Sequence, residues 1–116
     1  MTTTIILNDP PYGTERSYNG LRLAATLIRR PEQEVRIFLI GDAAACAKRG
    51  QRVPTGYYNI ESMLQIVARH GGIIGVCGSC MDARGITDED LAVQTHRSTM
   101  DELADWVQGA SQVLVF

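Results

Sequence analysis

Two cysteines three positions apart, Cys77 and Cys80, follow directly on the apolar run Ile73 to Val76 in the stretch IIGVCGSCMDARG. The reactive form of such a side chain is the thiolate, and a Cys-x-x-Cys pair can exchange disulfides, carry a sulfur atom, supply half of a zinc site or simply pack. A strand ending at Cys77 with a helical turn after it would aim the backbone N–H groups of Gly78, Ser79 and Cys80 at the Cys77 sulfur and favour its thiolate. Gly78 leaves room for a second sulfur or a partner's backbone to come close. Arg84, folding back, would hold an anion. Cys80 is near enough in sequence to close a disulfide with Cys77 or to attack a persulfide on it.

Other chemistries find fewer residues. Zinc needs two further ligands, and only Cys46, His70, His96 and scattered carboxylates are on offer, none forming a second matching pair. The reading therefore calls for no metal and no cofactor. A Cys-His-acid hydrolase requires His96 beside Cys77, and no local signature supports that arrangement. Cys46, set among alanines, reads as a buried inert thiol. His70, just before Gly71-Gly72, reads as a cation at the carboxyl end of a helix. The spacing alone leaves a sulfur carrier, a dithiol redox pair and plain packing all open.

The elements that must present these thiols follow in order. Thr3 to Leu7 is a first strand, stopped by Asn8-Asp9-Pro10-Pro11. The loop Asn8 to Thr14 comes after a buried strand, where open α/β sheets place binding groups, so Asn8 and Tyr12 are candidate binding residues. A helix follows with Thr14 or Ser17 as its cap, ending at Arg29-Arg30 before Pro31. Glu34 to Ile40 is a strand covered on both faces. Asp42 is expected to cap a second helix through Ala43 to Ala47. The loop Gln51 to Tyr58 carries Tyr57-Tyr58, suited to packing on a neighbouring surface or subunit. Asn59 caps an amphipathic helix with Ile60, Met63, Leu64, Ile66 and Val67 at helical spacing.

Ile73 to Val76 is then the third strand and Met81 to Arg84 one helical turn, capped by Gly85. A capped turn at Thr87 to Leu91 precedes a weak strand at Ala92 to Gln94. Ser98 or Thr99 opens the last helix, and Gln112 to Phe116 is the fifth strand. Strands alternating with helices predict a three-layer α/β/α fold around a five-stranded parallel sheet, with right-handed crossovers and sites at one strand-end edge.

The bulk properties agree with this and exclude much else. The 116 residues, 45% hydrophobic and 21% charged, fit one domain over residues 1–116. A net charge of -2 without charge blocks gives no footprint for nucleic acid and no polybasic membrane patch. No apolar run approaches the ~20 residues that cross a bilayer, and Met1-Thr2-Thr3-Thr4 lacks the regions of a signal peptide, so a cytoplasmic protein is expected. Three cysteines, an odd number, do not make a disulfide framework in a reducing compartment.

Four separated segments, NDPPYGTERSYNGLRLA, FLIGDAAACAKRGQ, PTGYYNIESML and VCGSCMDARGI, occur in this order, and together they resemble the DsrE/DsrF-like family along nearly the whole chain. The resemblance implies a five-stranded parallel sheet between helices, assembled as a homo-oligomer, a trimer or hexamer. In sulfur-relay members a cysteine at the end of the third strand, in a segment closing with Arg-Gly, receives sulfane sulfur as a persulfide and hands it on. Cys77 matches that position. Cys80 stands where relay members often carry a small apolar residue, so the sequence is similar to a branch with two cysteines in a CGSC motif. The implied activity is that of a sulfurtransferase or sulfur carrier with persulfide-bearing donor and acceptor proteins. Cys77 and Cys80 would be its reactive groups, and Gly78, Ser79, Arg84, Asn8 and Tyr12 its binding residues. A non-enzymatic oligomeric binding module and a Cys77-Cys80 redox switch are the alternatives.

Overall fold

A computed structural model describes all residues, 1–116. Five strands, β1 (Thr2–Leu7), β2 (Glu34–Leu39), β3 (Ile73–Cys77), β4 (Thr95–Ser98) and β5 (Gln112–Val115), alternate with helices α1 (Arg16–Leu27), α2 (Ile60–Arg69), α3 (Gly78–Ala83) and α4 (Met100–Gly109). A 3-10 helix spans Gly41–Ala47 and a shorter one Asp88–Asp90. The sheet order is β4-β3-β2-β1-β5, and every pairing is parallel.

Alternation along each strand divides the interior into two unequal cores. Ile5 and Leu7 of β1, Val35, Ile37 and Leu39 of β2, and Ile74 and Val76 of β3 face α1 and α2, meeting Leu21, Ala24, Leu64 and Val67 in the larger one. On the opposite face Phe38, Cys77, Leu103 and Trp106 form a small cluster beneath α4. Phe38 and Trp106 meet edge to face at 6.0 Å between ring centroids. The apolar run of β2 is continuous because both of its faces are covered, as a parallel sheet requires. The expected three-layer α/β/α architecture is therefore present.

The helix boundaries follow local chemistry. Asn59 Oδ1 accepts from Ser62 N at 3.0 Å to open α2, and Thr99 Oγ1 accepts from Glu102 N at 3.2 Å to open α4. His70 closes α2, its Nδ1 lying 2.8 Å from the Ile66 carbonyl. Thr87 and Asp90 form a reciprocal capping box around the second 3-10 turn. Neither expected cap opens α1: the Thr14 hydroxyl donates to Asp9 Oδ2 and the Ser17 hydroxyl to the Asp9 carbonyl, each at 2.7 Å, and Glu15 takes the N-cap position without a side-chain bond.

Three expected boundaries move, each for a physical reason. The alanine-rich stretch after β2 is a 3-10 helix, because Gly41 enters it in the left-handed region (φ 60°) and the Gln51 side-chain amide takes the Cys46 and Lys48 carbonyls at 2.9 and 2.8 Å. The fourth strand begins at Thr95, beyond the expected Ala92 to Gln94, since Gln94 itself is left-handed (φ 67°) and cannot continue a strand. The helix after β3 begins at Gly78, immediately behind Cys77, rather than at Met81.

Candidate functional site

The carboxyl ends of the parallel strands share one edge of the sheet, and there β3 passes into α3 without an intervening loop. Cys77 is at once the last residue of β3 and the N-cap of α3, so its sulfur takes the place a capping oxygen would hold. Cys77 Sγ accepts from the Cys80 backbone N–H at 3.4 Å and lies 3.4 Å from Ser79 Oγ. Only 7% of the residue is exposed. Even so, it lines an open hollow of about 290 Å³ with Gly78, Ser79, Arg97, Ser98, Thr99 and Met100.

The two thiols differ in acidity. Burial alone would raise the Cys77 thiol, but hydrogen bonds from the Cys80 thiol, the Ser79 hydroxyl and the Cys80 and Ser79 backbone N–H groups outweigh it and hold Cys77 below the ordinary range. Cys80 is pushed the other way, first by burial and then because its proton serves the Cys77 sulfur; the Gly41 N–H and the charge of Arg84 offset only part of this. The Gly41 N–H donates to Cys80 Sγ at 3.2 Å. The two neighbouring thiols are thus shifted in opposite directions.

Arg84 takes a different role from the anion holder read from the sequence. Its Nε and Nη2 donate to Asp42 Oδ1 at 3.1 and 2.7 Å and its Nη1 to the Cys80 carbonyl at 3.0 Å, tying α3 to the 3-10 helix on the Cys80 side. On the Cys77 side Arg97 of β4 forms a two-pronged pair with Asp82 of α3, Nη1 to Oδ1 at 2.9 Å and Nη2 to Oδ2 at 2.8 Å. The absent side chain of Gly78 makes this possible, since a Cβ there would lie 2.9 Å from Arg97 Nε and 3.0 Å from the Ser98 carbonyl.

Gly78 and Ser79 therefore stand with Cys77 in the hollow, while Asn8 and Tyr12 do not line it, although the Asn8 carbonyl lies 3.9 Å from where a Cβ on Gly41 would stand. β2 separates β1 from β3, and Asn8 donates through both its backbone N–H and its Nδ2 to the Phe116 carbonyl at the β5 side, at 3.0 and 3.1 Å. Tyr12 donates to Gln51 Oε1 at 2.7 Å and stacks on Tyr58, which in turn stacks on Tyr18. Tyr12, Tyr57 and Tyr58 border a second, more apolar hollow of about 480 Å³ with Glu15, Arg52, Val53 and Pro54. His96 is bound through Nε2 to Glu102 Oε1, which also accepts from the Ser98 hydroxyl. Cys46, fully buried, is pushed up to about 12, chiefly by burial.

Arg97, Ser98 and the Gly41 N–H are site groups that no sequence pattern marked. Ser98 and Arg97 become neighbours of the thiol through the register of β3 and β4, in which Cys77 pairs with Ser98 and Val76 with Arg97. The left-handed Gly41 after the apolar end of β2 was the one available signal for the third.

The DsrE/DsrF-like family matches residues 1–116. Protein YchN of Escherichia coli is 38% identical over 113 residues, covering 97% of this chain and 96% of its own. Protein MK0008 of Methanopyrus kandleri is 36% identical over 113 residues, covering 97% and 92%. The crystal structure of ychN protein from E. coli superposes with a TM-score of 0.91 at 36% identity over the full length of both chains.

Proposed function

The chain belongs to the DsrE/DsrF-like family, and from that premise we propose that Cys77 accepts sulfane sulfur as a persulfide and passes it to an acceptor. The supporting observation is the placement of Cys77 as the N-cap of α3, accepting from the Cys80 N–H and opening on a hollow, with its thiol drawn below the ordinary pKa while that of Cys80 is raised. In the first step the Cys77 thiolate attacks the outer sulfur of a donor persulfide. The S–S bond of the donor breaks, the donor thiolate departs with the electron pair, and Cys77-S-SH remains. An acceptor thiolate then attacks the outer sulfur and returns Cys77 as thiolate. The donor and acceptor are persulfide-bearing partners. Assembly into a homo-oligomer is part of the same reading, in keeping with Val113 and Val115 of β5, which are 37% and 65% exposed.

The adjacent Cys80 favours a second exit. Its thiolate attacking the inner sulfur of Cys77-S-SH expels hydrosulfide and leaves a Cys77-Cys80 disulfide, which an external thiol must reduce before another turnover. The same disulfide, formed by exchange with an external disulfide that leaves as two thiols, would make the pair a redox switch.

Incubation with a persulfide donor, followed by intact mass and peptide mapping, tests the assignment. The wild type gains one sulfur on the Cys77 peptide, and Cys77→Ala gains none. Equal addition to Cys77→Ala sinks the assignment.

A further inference from the structure

Among the residues that line the Cys77 hollow, Arg97 alone carries a charge; the others are two thiol or thioether side chains, a glycine and three hydroxyls. Arg97 also borders a second hollow of about 440 Å³ on its far side, with Asp82, Ile86, Thr87, Asp88 and Glu89. Asp82 lines only that far hollow and occupies Nη1 and Nη2, so it uses two of the five N–H donors of the guanidinium. Gly78 leaves space for the guanidinium in the hollow that Cys77 lines, a Cβ there falling 2.9 Å from Arg97 Nε and 3.1 Å from its Cζ. The pair is exposed, its side chains 40% and 64% accessible, and exposed ion pairs exchange readily for other anions.

We propose that Arg97 selects the sulfur donor, so that the Cys77 hollow takes persulfides bearing an anionic group, a carboxylate above all, close to the transferable sulfur. This rests on the reading of Cys77 as a persulfide acceptor and adds the chemical class of what delivers the sulfur. A planar guanidinium matches a carboxylate with two parallel hydrogen bonds, a geometry an ammonium does not offer. The other cation near the thiols, Arg84, is committed to Asp42 and the Cys80 carbonyl on the Cys80 side, while Asp82, Asp88 and Glu89 lie beside Arg97 in the other hollow and Glu102 at the start of α4 is engaged with Ser98 and His96. The preference consequently hangs on this one side chain. The chemistry is unchanged: Cys77-S⁻ and R-S-SH give Cys77-S-SH and R-S⁻, with R carrying the carboxylate that Arg97 holds while the S–S bond is exchanged.

The test compares glutathione persulfide, which is anionic, with cysteamine persulfide, which is cationic, by the rate of sulfur gain on the Cys77 peptide. The rate ratio on wild type divided by that on Arg97→Ala cancels intrinsic differences between the reagents. It is expected to exceed one by about threefold to fivefold, the scale of an exposed charge pair, and to shrink with added salt. Asp82→Asn, which frees the guanidinium, raises the ratio, and Arg97→Lys restores part of it. A ratio that Arg97→Ala leaves unchanged, or shifts towards glutathione persulfide, overturns the selection by Arg97 while sulfur on Cys77 still upholds the acceptor reading. No sulfur on Cys77 of either wild type or Cys80→Ala, and no Cys77-Cys80 disulfide in wild type, from either reagent overturns both.

Discussion

The Gly41 backbone N–H donates to Cys80 Sγ at 3.2 Å, so the second thiol is gripped by the segment after β2 while the first is served by its own helix. This fixes an order of reactivity. Cys77, the more acidic thiol, holds more thiolate at any given pH and alkylates first. Iodoacetamide labelling followed by peptide mapping should show a Cys77 midpoint below the ordinary thiol value of about 8.5, with Cys80 labelled only at higher pH. Labelling of Cys80 ahead of Cys77 would contradict the assignment.

Removing the Cys80 thiol takes away the first of the hydrogen bonds that oppose burial at Cys77. Cys80→Ala is therefore expected to move the Cys77 labelling midpoint upward, with Ser79 and the backbone N–H groups keeping part of the effect. A persulfide formed on this variant should also outlast that on wild type, because the internal exit is gone. An unchanged midpoint would show that the backbone donors alone hold the thiolate.

Cys46 supplies the opposite case. Its folded-state value of about 12 stands above the ordinary thiol value of about 8.5, so its stabilising contribution is complete below that value and fades as pH rises from there towards 12. Denaturation followed between pH 8 and 11 should show wild type losing more stability, over about that span, than Cys46→Ala. At neutral pH the variant should be less stable by about 1 kcal/mol, the scale of one buried methyl-sized group. In native protein Cys46 should resist labelling until denaturant is added.

Gly20 lies in the middle of α1, where alanine is ordinarily better by about 1 kcal/mol. A Cβ there would fall 2.5 Å from Leu7 Cδ2 and 3.3 Å from the Phe116 ring, and Leu7 is wholly buried with nowhere to turn. Gly20→Ala should accordingly destabilise the fold by roughly 1–3 kcal/mol, the usual cost of overpacking. A urea midpoint that rises instead would mean that α1 can lift off β1 without loss.

The architecture was legible because each buried strand carries its own apolar run, and Cys77 was legible because such a run stops there. The α3 start was hidden by Gly78, a poor helix former whose merit is the space it leaves for Arg97. Arg97 itself sits in Thr95–Ser98, a polar four-residue edge strand with no apolar rhythm, and its nearness to the thiol exists only through the β3–β4 register. Asn8 and Tyr12 read as binding residues because they follow a buried strand. Strand order, which local sequence does not encode, put β2 between them and β3. Asp42 was read as a helix cap because its local context fits one; a tertiary partner, Arg84, claimed its carboxylate.

The pairing of β1 with both β2 and β5 bears on the order of folding. β1 meets β2 through Thr3 and Val35, but meets β5 through Thr3 and Gln112. Closing the second pairing must bring together residues 109 positions apart, after nearly every other contact has become possible. Until then the free edge of Thr3 to Ile6 is an open strand on an emerging chain. The slow step of refolding should be the docking of residues 112–115, and the intermediate before it the species most exposed to edge-to-edge aggregation.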